Sequence, residues 1–128
     1  KRAITLSPGN LSVLSNLGFM YLQNGEFQKC ISAYDQAILY DPYDPKSYFN
    51  QAVACYNLKN YSKALELFTK TITMEPAYPN GYLYRSMTYK MLGDYSHALQ
   101  DVFIAQQSGQ QVNAPYIDEL KKLTAGKR

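Results

Sequence analysis

The sequence predicts an all-α fold made of helical hairpins that repeat along the chain, and three observations carry that prediction. Pro-x-x-Pro-x-x-Tyr is written twice, in "DPYDPKSY" (41–48) and in "EPAYPNGY" (75–82), so that Pro42, Pro45 and Tyr48 fall 34 residues before Pro76, Pro79 and Tyr82. The same ruler carries Pro42 back to Pro8 and Tyr82 forward to Tyr116, and a fixed period of this length is the mark of a repeat architecture. Each period holds two apolar patterns of helical spacing, separated by the short turns "LQNGEF", "NLKNY" and "MLGDY". Beyond the last period, residues 113–125 read as one further helix with a single apolar face, which is how a repeat array closes.

Taken in order, residues 1–10 come first. Ala3 and Pro8 stand one period before Ala37 and Pro42. They therefore read as the tail of a preceding repeat's helix, and a chain that opens "KRAITLSPGN" is expected to continue upstream. The full units are 11–44, 45–78 and 79–112. Gly25 and Gly93 suit the left-handed residue that ends a first helix, and Asn60 and Asp94 suit the cap of the second. Pro45 and Pro79 are expected in the first turn of a helix, where there is no donor to lose. Pro42 and Pro76 are expected just past the end of the preceding one. In the last segment Asn113 can cap a helix with Tyr116, Leu120 and Leu123 on one face and Lys121 and Lys122 on the other.

Length and composition fit such a domain. With 128 residues, 46% hydrophobic and 18% charged, the chain is long enough to bury about two-thirds of its unfolded surface. The net charge of +3 is confined to the ends: residues 3–117 carry seven basic against eight acidic side chains. A nucleic-acid module would gather Lys and Arg on one face, so no nucleic-acid partner is expected. The apolar runs are too short for a membrane span or a signal peptide. Cys30 and Cys55 lack metal-ligand spacing and the only histidine is His97, so neither a metal nor another cofactor is expected. The two thiols read as reduced core residues, which points to the cytoplasm or the nucleus. His97 and Asp94 have the spacing of a capping turn, and no nucleophile–base set or phosphate loop has a supporting context. No enzyme is expected.

At matched positions the units read Leu14, Leu17-Gly18, Tyr21, Cys30, Tyr34, Ala37, Pro42; then Tyr48, Gln51-Ala52, Cys55, Ala64, Phe68, Thr71, Pro76; then Tyr82, Arg85-Ser86, Tyr89, Ala98, Val102, Ala105, with Gln110 in the proline place. This pattern resembles the tetratricopeptide repeat over essentially the whole chain. The resemblance implies a right-handed superhelical solenoid whose function is to bind protein. It also places Tyr21, Tyr34, Tyr48, Tyr82, Tyr89 and Tyr116 in core slots, so that most of the thirteen tyrosines are structural.

The first helix of each unit in this family lines a concave groove. The corresponding candidates for a peptide-binding surface here are Asn16, Phe19, Lys46, Phe49, Asn50, Val53, Leu83, Tyr84, Met87 and Lys90. This strip is mostly apolar and uncharged, as contact surfaces are, although Phe49, Val53, Leu83 and Met87 could equally serve to pack neighbouring helices. Asn16 and Asn50, one repeat apart, are similar to the asparagine ladder with which some members hold a peptide backbone, each amide offering a donor and an acceptor. The family's carboxylate clamp of Lys, Asn, Asn, Lys and Arg is not matched: its slots hold Ser15, Phe19, Asn50, Asn80 and Tyr84. In the alternative register Asn16 and Lys46 match, but Asn50 stands in the arginine slot and removes the bidentate contact. The expected function is thus a protein-interaction module holding an extended, largely uncharged peptide or a partner helix. The alternatives are a self-associating assembly scaffold and the substrate-recruiting arm of an enzyme.

Overall fold

The computed structural model describes residues 8–126. Seven helices follow one another: α1 (Pro8–Gln23), α2 (Phe27–Tyr40), α3 (Pro45–Asn57), α4 (Tyr61–Met74), α5 (Gly81–Met91), α6 (Tyr95–Gln107) and α7 (Ala114–Gly126). Each helix packs on the next, and α3 also touches α1 and α5. The first helices of the three hairpins therefore line the tighter, inner side of the stack, while α2, α4 and α6 form the outer side. Among the described residues no helix is long and apolar enough to cross a membrane.

The turns obey the repeat with one exception in chemistry. Gly25 and Gly93 take φ of +78° and +82°, and Lys59, in the same place of the middle hairpin, takes +66°. A side chain in this region crowds the following carbonyl. Lys59→Gly is therefore expected to raise stability by about 0.5–1 kcal/mol, less the added freedom of the unfolded chain, which a urea titration would register. Asn60 and Asp94 cap α4 and α6 through the backbone N–H groups of Lys63 and His97. The Asp94 carboxylate also meets His97 Nδ1 at 2.7 Å, so this pair is a capping turn.

One proline expectation needs correction. Pro45 does open α3, beneath an Asp44 cap, but Pro79 lies two residues ahead of α5. Tyr78 occupies the place of Asp44 and cannot cap. The chain instead makes a turn closed by Gly81 N–H on the Tyr78 carbonyl, with Asn80 left-handed at φ +64°, a conformation asparagine tolerates. Pro8 is the first described residue and lies in α1, so residues 8–10 belong to that helix. The rest of the segment read as a preceding tail lies outside the described residues.

Three clusters make up the core, one per hairpin. The first is Cys30, Tyr34, Ala37 and Ala54; the second centres on Tyr48, Ala52, Cys55, Ala64, Leu67 and Phe68; the third is Ala98, Val102, Ile117 and Leu120, supplied partly by α7. Both thiols are free and buried. Burial pushes Cys30 up to about 11 and Cys55 upward as well. Both are buried and burial disfavours their thiolates, so Ellman's reagent should label the native chain at least about a hundredfold more slowly than the urea-unfolded one.

Candidate functional site

The inner face is built from α1, α3 and α5, and the ten residues expected there divide into three groups. At the α1 end Asn16 and Phe19 are exposed, Phe19 by 46%. Lys46 is also exposed, at the start of α3. The middle group is packed. Phe49 lies half-buried with its ring centroid 5.6 Å from Phe68, 4.8 Å from Tyr78 and 5.2 Å from Tyr84, and Tyr84 stacks on Phe68 at 5.7 Å. Val53 packs against the same cluster. These side chains join the second hairpin to the third, which is the packing alternative the sequence left open.

Asn50 departs furthest from expectation. It is only 7% exposed, and its Nδ2 donates to the Tyr34 hydroxyl at 2.9 Å. That hydroxyl in turn donates to the Ser15 carbonyl at 3.1 Å. The amide predicted to hold a peptide backbone is instead engaged with a buried phenol, and without that acceptor the buried amide N–H would lie unpaired at a cost of about 1–3 kcal/mol. The two-rung ladder of Asn16 and Asn50 is therefore reduced to its exposed Asn16. The reason is the tyrosine at position 34, where the other hairpins have Phe68 and Val102 and need no polar neighbour.

The third group comes together at the other end. Leu83, Met87 and Lys90 of α5 line a cavity of about 440 Å³, with Tyr56 from α3, Met91, and Gln111, Val112, Asn113 and Tyr116 from the entry to α7. Since α3 and α5 are inner-face helices, the cavity lies on that face, and α7 closes its far side. Tyr116 fixes the position of α7: Ser86 Oγ donates to the Ala98 carbonyl at 2.8 Å, so the 2.9 Å contact is Tyr116 donating to Ser86. The Lys90 ammonium is 3.0 Å from Glu119 Oε1 and sits 5.6 Å above the Tyr116 ring. Burial raises Tyr56 and Tyr116 above the usual phenol range, so both remain neutral hydrogen-bonding groups.

Sequence reasoning missed the contribution of the α6–α7 connection. The signal was Gln110 in the proline place of the period: there the chain leaves the repeat, and the residues that follow are free to face the groove. The clamp slots are also plain in three dimensions. Ser15 and Asn50 are buried and Tyr84 is packed among aromatic rings, so none of these three offers a charge. Among the described residues no three His, Cys, Asp or Glu side chains gather as a metal site would require.

The family model of the tetratricopeptide repeat matches residues 12–44 and 45–78. No curated protein matches the chain. Among solved structures it is similar to the first tetratricopeptide repeat domain of Spaghetti (RPAP3) bound to the HSP90 peptide SRMEEVD, at 22% identity, with 97% of this chain and 98% of that one covered and a TM-score of 0.82. It is similar to the first such domain of human RPAP3, at 21% identity, 94% and 97% coverage and a TM-score of 0.86. A third is the TPR2B domain of yeast Sti1 in its pHsp70 complex, at 23% identity, 92% and 98% coverage and a TM-score of 0.78.

Proposed function

The chain belongs to the tetratricopeptide repeat family, a protein-interaction fold, and from that premise we propose that its inner face holds an extended, uncharged peptide by apolar side chains. The observation that carries this reading is the 440 Å³ cavity between α3, α5 and α7, whose walls are Tyr56, Leu83, Met87, Met91, Val112 and Tyr116. A recess of this size holds one or two large aliphatic side chains, and few polar groups are needed to orient them. Gln111 and Asn113 supply amides at the same recess, where a peptide backbone needs a donor and an acceptor. Asn16 and Phe19 extend the surface toward α1, with Lys46 beside α3. The similar structures with chaperone peptides suggest capture of a protein segment. The clamp slots hold at most one cation, Lys46, and no arginine, which argues for a neutral segment and not an acidic chain end. The same reading makes the chain a binding module and not a catalyst, and two buried free thiols suit a reducing compartment, the cytoplasm or nucleus.

Selection of a random peptide library against the chain tests this. Enriched peptides should share paired bulky apolar residues, and Leu83→Asp should weaken their binding at least about tenfold while the circular dichroism stays helical. Phe103→Asp, on the outer α6, should leave affinity unchanged. Peptides that bind Leu83→Asp as tightly as the parent would refute the site.

A further inference from the structure

We propose that Glu119 is a specificity-determining residue: by pairing with Lys90 it cancels the positive charge at the α5–α7 cavity, so that the site takes a neutral apolar segment and turns acidic ones away. The inference rests on the groove reading above and adds to it the charge of the ligand.

The helix that forms the cavity wall carries two cations, and both are engaged. Arg85 is held by the Asp101 carboxylate, with Nε at 2.8 Å and Nη2 at 2.9 Å. Lys90 lines the cavity itself and is paired across to α7 through Glu119 Oε1 at 3.0 Å. Its position over the Tyr116 ring holds it where a negatively charged ligand residue would otherwise seek it. An acidic side chain approaching Lys90, itself only 27% exposed, must come within a few ångströms of the 51%-exposed Glu119 at the rim. Like charges at that distance repel, less strongly than they would out of water. Displacing Glu119 gains nothing, because one carboxylate merely replaces another.

Most of the first N–H groups of α7 are already engaged. Tyr116 N–H and Ile117 N–H both donate to the Asn113 carbonyl, at 3.1 and 3.2 Å, and Tyr116 N–H also reaches the Asn113 side chain at 3.4 Å. Pro115 has no N–H to offer. The remaining wall is apolar or amide in character. The recess is therefore electrically neutral by construction, and charge matching selects a neutral occupant.

The test repeats the library selection on the native chain and on Glu119→Gln. A peptide enriched on the native chain is then synthesised with a fluorescent label, beside a twin carrying glutamate next to the apolar pair. On the native chain the twin should bind about tenfold more weakly by fluorescence polarisation. Glu119→Gln should bring the two within about twofold of one another and enrich acidic residues in its own selection. Lys90→Gln combined with Glu119→Gln should abolish that gain, which loss of α7 packing alone would not do. A twin that binds the native chain as well as the neutral peptide overturns the proposal while leaving the groove reading standing, and so does a penalty that persists in Glu119→Gln. A selection that yields no native binder, or binders indifferent to Leu83→Asp, removes the groove reading and this proposal with it.

Discussion

Replacing Asp101 with alanine is expected to destabilise the chain by about 3–5 kcal/mol, the cost of leaving a buried charge without its partner. Asp101 is 2% exposed and accepts two hydrogen bonds from one guanidinium. Arg85 also donates to Thr69 Oγ1 at 3.4 Å, and its guanidinium carbon lies 5.5 Å from the rings of both Tyr82 and Tyr89. One side chain thus ties α4, α5 and α6 together, and removing the carboxylate strands it among aromatic rings with little water. The repeat supplies its own control. One period earlier, Gln51 stands where Arg85 does and Leu67 where Asp101 does. There the amide donates across to the Ile31 carbonyl at 3.0 Å and to Asp35 Oδ1 at 2.7 Å, while Leu67 is simply buried. The double change Arg85→Gln/Asp101→Leu should therefore lie within about 1 kcal/mol of the native chain, because it removes both charges and reinstates a hydrophobic neighbour. Urea unfolding of the single and double variants reads both numbers. An Asp101→Ala cost below about 1 kcal/mol would mean that water reaches the guanidinium and that the pair is an ordinary surface contact.

This third hairpin also shows what could be read from the sequence and what could not. The 34-residue period made the hairpins and the closing helix legible, because burial and turn chemistry act at fixed spacings and leave periodic traces. Of the six tyrosines it assigned to the core, Tyr34 and Tyr48 are buried, Tyr21, Tyr89 and Tyr116 are half-buried against it, and Tyr82 is half-buried beside Arg85. Helix starts were less legible where one neighbour decides them: the change from Asp44 to Tyr78 removes a cap and delays α5 past Pro79. The inner face was the least legible part. Position along a helix gives direction but not what the neighbouring hairpin sends to meet it. Phe49 and Tyr84 pointed inward as expected and were claimed by Phe68 and Tyr78. Asn50 was claimed by the Tyr34 hydroxyl, a contact between residues 16 apart in different hairpins. Leu83, Met87 and Lys90 do meet at one recess, but its other wall comes from Gln111–Tyr116, after the period has lapsed. No spacing rule reaches that wall.

Gly18→Ala is expected to cost about 2–4 kcal/mol, a large effect for a single methyl group on a helix, where alanine is normally favoured over glycine. A Cβ built at Gly18 would lie 2.6 Å from Tyr34 Cε2 and 2.8 Å from Cδ2. The ring has no room to retreat, because Tyr34 is fully buried and its hydroxyl is fixed at both sides, donating to the Ser15 carbonyl and accepting from Asn50 Nδ2. Accommodation requires the ring to shift by most of an ångström and give up one or both hydrogen bonds, each a net loss of about 1 kcal/mol or more. The other hairpins show how this crowding is managed. Where Gly18 faces Tyr34, the second hairpin pairs Ala52 with Phe68 and the third pairs Ser86 with Val102, all of them fully buried. Only the hairpin whose second-helix ring carries a hydroxyl has glycine on the first helix; the other two carry a Cβ there, as close packing against an unanchored Phe68 or a smaller Val102 allows. Tyr34→Phe alone should cost about 1–2 kcal/mol, since it leaves the Asn50 amide without its acceptor. Combined with Gly18→Ala it reproduces the second hairpin's pair and frees the ring to move. The double variant should then be at least about 1 kcal/mol more stable than the sum of the singles predicts, the non-additivity expected of residues in direct contact. Strict additivity in a urea double-mutant cycle would show that Gly18 is small for some reason other than Tyr34. In that case the pairing of small and large residues across the three hairpins would be coincidence and not the constraint that fixes residue size in this core.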